Sequence, residues 1–218
     1  MSATTASPVT TEPRSSLEVE RKYDVGDDTA VPDWSTLPGV ATVGEAEPRA
    51  LDARYLDTAD GRLAAALTAL RRRTGGPDAG WHVKRSTPEG KLETHWPLDD
   101  ADESAPLEVP EAIVAELAEV AQPPFEVIAR IRNSRTAFAL LDAEGDMVAE
   151  FVDDRVTATD ERSGRVSSWR EWELELGPAA PRSAEGVASL FAAADELVAS
   201  AGGAPAASDS KLGRALGR

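Results

Sequence analysis

The stretch Leu17-Glu-Val-Glu-Arg-Lys-Tyr-Asp-Val25 places a charge at every second position from Glu18 to Asp24. In a strand, successive side chains point to opposite faces. Glu18, Glu20 and Lys22 then share one face, while Leu17 and Val19, with Arg21 after them, take the other. A half-buried strand normally turns its apolar face to the core and its charges to water. What this charged face looks at decides the fold.

The same sorting recurs along the chain. In Ser168-Trp-Arg-Glu-Trp-Glu-Leu-Glu-Leu176 one face carries Glu171, Glu173 and Glu175, and the other carries Trp172, Leu174 and Leu176. Arg71 and Arg73 share a face, as do His82 and Lys84 opposite Trp81 and Val83. Arg130 and Arg132 flank Ile131, and Glu150, Val152 and Asp154 alternate with Phe151 and Asp153. Solvated strand faces mix signs, because like charges side by side repel. Strands that are purely acidic or purely basic predict a polar lumen instead. The expected fold is a β-dominated α+β architecture: a closed antiparallel barrel whose apolar outer face is covered by helices.

Short alternating segments are predicted at 17–25, 49–57, 69–74, 80–86, 91–97, 125–133, 135–141, 146–158 and 165–176, with turns at Thr74-Gly-Gly-Pro77 and Glu144-Gly-Asp146. Helices are predicted over 61–67, capped by Asp57-Thr58, and over 110–119, with Pro110 near the first turn. Two more are predicted over 183–199 and around Lys211. Residues 1–16 are rich in Ser, Thr and Pro and read as disordered, leaving one domain over 17–218.

The chain has 218 residues and a formal net charge of −16, which argues against nucleic-acid or membrane-surface binding. The absence of cysteine excludes disulfides and thiolate chemistry. No apolar run approaches the roughly 20 residues of a membrane helix, and the N-terminus has no apolar signal core. The expected compartment is the cytoplasm.

Glu18-Val-Glu20-Arg-Lys22 resembles the Glu-x-Glu-x-Lys opening of the CYTH domain, a branch of the triphosphate tunnel metalloenzymes. Further matches follow in family order: Tyr55-Leu-Asp-Thr58, Leu70-Arg-Arg-Arg73, Lys84, Arg130-Ile-Arg132, Glu150 with Asp154, Glu171-Trp-Glu-Leu-Glu175 and Ser210-Lys211. The resemblance implies a tunnel of about eight antiparallel strands, a triphosphate-bearing small-molecule substrate, and Mg2+ or Mn2+. One departure is His95 in Lys91-Leu-Glu93-Thr-His95, where the family often has a second acid, so His95 is left out of the metal shell.

A triphosphate carries about four negative charges, and its transfer needs neutralisation and in-line positioning more than covalent chemistry. Mg2+ takes oxygen ligands and keeps several waters. Glu18, Glu20, Glu171 and Glu173 are the expected metal ligands, with Asp154 joining directly or through water. With Lys22 they form the expected catalytic set. Lys22, Arg71, Arg73, Lys84, Arg130 and Arg132 are expected on the phosphates, with Lys211 closing one mouth. Glu93, Glu150 and Glu175 are expected to support these groups from behind, with Glu93 or Glu175 able to orient the attacking water instead. Removing an inner carboxylate is expected to relieve repulsion. The expected reaction is hydrolysis of inorganic triphosphate, because no aromatic platform for an organic group is evident. Thiamine triphosphate hydrolysis, nucleoside triphosphate hydrolysis or ATP cyclisation is the enzyme alternative. A module that binds triphosphate or polyphosphate without turnover is the alternative of another class.

Overall fold

Alternation dominates the chain, and the computed structural model, which describes residues 12–88, 90–97 and 107–218, is correspondingly a β structure. In chain order, the first half holds β1 (Arg14–Glu18), β2 (Glu20–Val25), β3 (Thr42–Val43), β4 (Glu47–Asp57), α1 (Arg62–Ala65), β5 (Thr68–Thr74), β6 (Gly80–Thr87) and β7 (Gly90–Pro97). The second half holds α2 (Glu111–Leu117), β8 (Glu126–Leu141), β9 (Met147–Asp160), β10 (Val166–Leu176), α3 (Ala184–Ala201), β11 (Ala204–Pro205) and α4 (Lys211–Ala215). The sequence placed Arg14 to Ser16 in a disordered segment, but they belong to β1 and pair with His95, Thr94 and Glu93. The remainder of that segment up to residue 11 lies outside the described residues.

Local chemistry sets the turns. Gly75 and Gly76 adopt φ of 76° and 78° between β5 and β6, and a Cβ on Gly75 would lie 2.0 Å from the Ala50 carbonyl oxygen. Between β8 and β9 the Asp142 carboxylate accepts from the Glu144 and Asp146 amides at 3.0 and 2.8 Å. The Asp57 carboxylate accepts from the Leu63 and Ala64 amides at 2.9 and 3.1 Å, which fixes the start of α1 as expected.

All strands of the described residues join one antiparallel sheet in the order β1-β7-β6-β5-β4-β8-β9-β10-β2-β11, with β3 on β8. The sheet curls into a half-barrel and is open, which corrects the closed barrel expected from the sequence. The reason lies at Val19. There one stretch of chain stops pairing with β7 and starts pairing with β10, so that no residue of it pairs with both. The two ends of the sheet are therefore joined by covalent chain rather than by a continuous ladder.

Helices cover the convex side. Leu190, Phe191, Ala194 and Val198 of α3 pack on Tyr23, Phe151, Trp172 and Leu174, all nearly or fully buried. Tyr23 Oη donates to Asp195 at 2.7 Å, satisfying its polar end. Ile113 and Leu117 of α2 pack on Leu56, Leu70, Trp81 and Val83. The short α4 sits on the concave side. Ser210 caps it, accepting from the Gly213 amide at 2.9 Å, and Leu212, Ala215 and Leu216 pack on Ala53, Tyr55, Ile131, Val156 and Trp169. No helix of the described residues is long and apolar enough to cross a membrane.

Candidate active site

The concave face encloses a cavity of about 590 Å³. It is lined by Glu18, Glu20, Lys22, Arg71, Arg73, Lys84, Glu93, Glu150, Glu173, Glu175 and Lys211, all singled out from the sequence. Asp154 and Glu171 sit beside this lining, buried against Glu173 and Lys211. The register explains the grouping: Glu171 lies opposite Asp154, Glu173 opposite Lys22, and Glu175 opposite both Glu20 and Glu150.

The acids form one deep cluster. Asp154, Glu171 and Glu173 each offer an oxygen within 4.8 Å of the others. Their exposures are 0, 4 and 8%. Lys211 Nζ lies 2.8 Å from Asp154 Oδ2, 2.5 Å from Glu171 Oε1 and 2.8 Å from Glu173 Oε1. Arg135 bridges Asp154 and Glu173 at 2.7 and 2.9 Å. Lys22 contacts Glu173 and lies 2.9 Å from Glu20. Burial alone would push the Glu173 carboxyl up, but Lys211, Lys22 and Arg135 outweigh it and hold that carboxyl well below the usual carboxylate range. Asp154 follows the same logic: burial opposes ionisation, and Lys211 and Arg135 win. Three oxygen donors in a buried site suit a hard divalent cation. Glu171 Oε1 adds to that fit, because it receives no aligned hydrogen bond even from the nearby Lys211.

A second cluster lies across the cavity. Lys84 Nζ sits 2.5 Å from Glu18 Oε2 and 2.9 Å from Glu93 Oε2, and Arg71 reaches Glu93 at 3.5 Å. Arg71 Nη1 also donates to Tyr55 Oη at 3.4 Å. His82, fully buried, places Nδ1 3.0 Å from Glu93 Oε1. Burial and the adjacent Arg71 push its pKa down to about 2, so the ring is neutral. His95 stacks on His82 with centroids 4.6 Å apart, away from the acid cluster. Arg73 pairs with Asp78, and burial together with Arg71 and Arg135 lowers it to about 9. Glu175 is pushed up to about 7 by burial and by the neighbouring Glu18, Glu20 and Glu173, with Lys84 opposing.

Arg130 and Arg132 are not in the cavity, contrary to expectation. Arg132 is exposed, and Arg130 forms an ion pair with Asp52 on the convex side. The physical reason is α4. At this end of β8 the inner face is covered by that helix, so Ala129 and Ile131 face inward and the arginines outward. The inward charge on β8 comes later, at Arg135, which the sequence reading missed along with Arg49 and Lys91. Arg49 meets Glu150 through two bonds of 3.1 and 3.0 Å at the rim. Lys91 Nζ lies 2.7 Å from Glu20 Oε1. The signal for Arg135 was its phase with Ile131 and Asn133, four and two residues from it on the same strand face.

Sequence and structure comparisons place the fold among known proteins. Two uncharacterized proteins from strains of Mycobacterium tuberculosis are 38% identical to the chain over 94% of its length. The chain spans 41% of their length. A Bacillus halodurans protein provisionally described as an adenylate cyclase superposes with a TM-score of 0.62 at 20% identity, covering 92% of this chain and 97% of its own. A Hippeastrum protein, described as an adenylyl cyclase candidate with a dominant triphosphatase activity, superposes with a TM-score of 0.58 at 18% identity, covering 92% and 96%. These likenesses establish the fold. The family model of the CYTH domain matches residues 16–200. The chain therefore belongs to the CYTH domain family.

Proposed function

We propose that the cavity binds a triphosphate-bearing small molecule and hydrolyses a phosphoanhydride bond in it. One observation carries this reading: a buried triad of carboxylates sits at the edge of a cavity lined by arginines and lysines, with Glu173 reaching into it. The triphosphatase activity described for the Hippeastrum relative supports the same chemistry.

Asp154, Glu171 and Glu173 would hold Mg2+ or Mn2+, with Glu20 tied to the same end through Lys22, while Glu18 holds Lys84 on the other side of the cavity. A divalent cation there supplies neutralisation of developing phosphate charge and acidifies bound water. The chain's own groups do the rest. Arg71, Arg73, Arg135 and Arg49 offer forked donors to phosphate oxygens, and Lys22, Lys84 and Lys91 offer compact charges. Glu93 positions Arg71 and Lys84, which both contact it. Glu175, whose pKa is raised to about 7, would accept the proton of the attacking water.

For the substrate, the charged lining supports inorganic triphosphate. A second observation favours an organic triphosphate. The cavity is also lined by Ala64, Leu67, Ala69, Ile128, Leu212 and Leu216, an apolar end that the sequence did not reveal. Its volume of about 590 Å³ lies within the ~300–1,000 Å³ range of sites for drug-sized ligands. A phosphate-release panel with Mg2+ and Mn2+ against inorganic triphosphate, ATP and thiamine triphosphate tests both. Tight binding without release from any substrate would replace hydrolysis by the binding-module reading.

A further inference from the structure

Lys211 belongs to α4, yet its ammonium lies in the middle of the carboxylate triad. Among the described residues it is the one cation that contacts Asp154, Glu171 and Glu173 together. Arg135 touches two of them, Lys22 touches Glu173, and Arg214 comes within 3.9 Å of Glu171. A divalent cation ligated by these acids would bond to their oxygens at about 2.0–2.1 Å. It would need the space that Lys211 Nζ fills, 2.5 to 2.8 Å from one oxygen of each acid. Two cations cannot share that space, and at such separations their repulsion is strong in a buried site.

We propose that Lys211 is a tethered competitor of the divalent cation, and that metal binding displaces its ammonium into the cavity, where it meets the phosphates of the substrate. This rests on the reading of the triad as a metal site. The exchange is one of side chain rather than helix. The backbone of α4 is fixed independently by the Ser210 cap, by Arg165 Nη2 donating to the Ala215 carbonyl at 2.8 Å, and by the Arg214–Asp24 ion pair. The four-carbon stem of lysine leaves the head free to turn, and Lys211 already lines the cavity. In the metal-free protein the ammonium is held by acids and withheld from anions. In the metal-loaded protein it is released at the same end of the cavity as the metal. Metal and triphosphate then bind with positive coupling that passes through this residue.

The test is substrate-free binding of Mn2+, followed by the electron paramagnetic resonance of the free ion, in wild type and in Lys211→Met. Removal of the competitor should tighten Mn2+ binding at least tenfold. Equal or weaker binding by a folded variant overturns the proposal. Mg2+ titration of wild-type protein labelled with 15N-lysine gives a second readout that needs no variant to fold except for assignment, by Lys211→Arg. The Lys211 ammonium resonance should shift as Mg2+ saturates, and an unchanged resonance at calorimetric saturation overturns the proposal. If neither wild type nor Lys211→Met binds Mn2+, the metal site fails and takes the proposed function with it; binding that is indifferent to Lys211 sinks the exchange alone.

Discussion

Glu175 allows a quantitative test of the electrostatics of the cavity. Its carboxyl is raised from 4.5 to about 7 by burial, by Glu18, and by Glu20 and Glu173 beyond it, with Lys84 as partial compensation. An acid with a raised folded pKa keeps its proton to higher pH when folded than when unfolded. Between pH 4.5 and about 7 the native state therefore binds more protons than the unfolded chain, and stability falls as pH rises through that window. At ~1.4 kcal/mol per unit the shift sets a ceiling of ~3.5 kcal/mol, complete above pH ~7. Glu175→Gln removes the charge and keeps the shape. In EDTA at pH 8 the variant should be more stable than wild type by ~1–3 kcal/mol, or a Tm gain of ~2–4 °C per kcal/mol for a chain of this size. At pH 4.5 the gain should vanish, because the native side chain is then neutral in both proteins. Urea unfolding at pH 4.5, 6, 7 and 8 reads the difference directly. A gain independent of pH, or a loss at pH 8, would refute the assignment of Glu175 as a strained inner carboxylate.

Four further outcomes are expected. Asp154→Asn and Glu171→Gln should each lower kcat/KM by ~10²–10³, and EDTA should abolish turnover in the wild type, with Mg2+ or Mn2+ restoring it. Arg135→Ala should cut kcat/KM by a similar factor, whereas Arg130→Ala and Arg132→Ala on the convex face should change it less than about threefold; equal losses would return those arginines to the site. Glu173→Gln should destabilise the metal-free protein by ~3–5 kcal/mol in urea unfolding, because Lys22, Lys211 and Arg135 lose a shared acceptor. Trp172→Ala should cost ~3–5 kcal/mol through the cavity left under α3, with the midpoint of unfolding as the readout.

The strands were legible because the alternation of charged and apolar residues has the period of the pleat, and most predicted segments coincide with observed strands to within a few residues. The helices on the convex side were legible through their caps and apolar spacing, as with Ser183 at the start of α3. Two features were not legible. The facing of β8 depends on α4, which comes some seventy residues later in the chain; without knowing that this helix packs inside, the rule that inner faces are charged selects Arg130 and Arg132 and passes over Arg135. The closure of the sheet depends on hydrogen bonding at Val19, which no side-chain pattern encodes. The sign of the Glu173 effect was also misread. Seen along one strand, Glu171, Glu173 and Glu175 are like charges that should repel, but in the fold Glu173 is ringed by Lys22, Lys211 and Arg135.

That ring bears on how an acidic protein could hold a polyanion. The inner acids and bases neutralise one another before any ligand arrives: Glu18 with Lys84, Glu20 with Lys91, Glu93 with Arg71, and Asp154 with Arg135 and Lys211. If the cavity serves as proposed, a cation with a triphosphate would enter by partner exchange, the metal taking over the acids and the phosphates taking over the bases. Few new charges need to be buried, so the desolvation cost that opposes buried ion pairs is met largely during folding. The net charge of −16 then has little influence on binding, because most of it lies outside the cavity and is screened within about 8–10 Å at physiological salt. Exchange also implies that neither ligand alone is well served: triphosphate without metal would leave the acid triad facing added negative charge, and metal without triphosphate would leave Lys211 without an acceptor. On the proposed function, cooperative entry of the two would follow from the pairing itself.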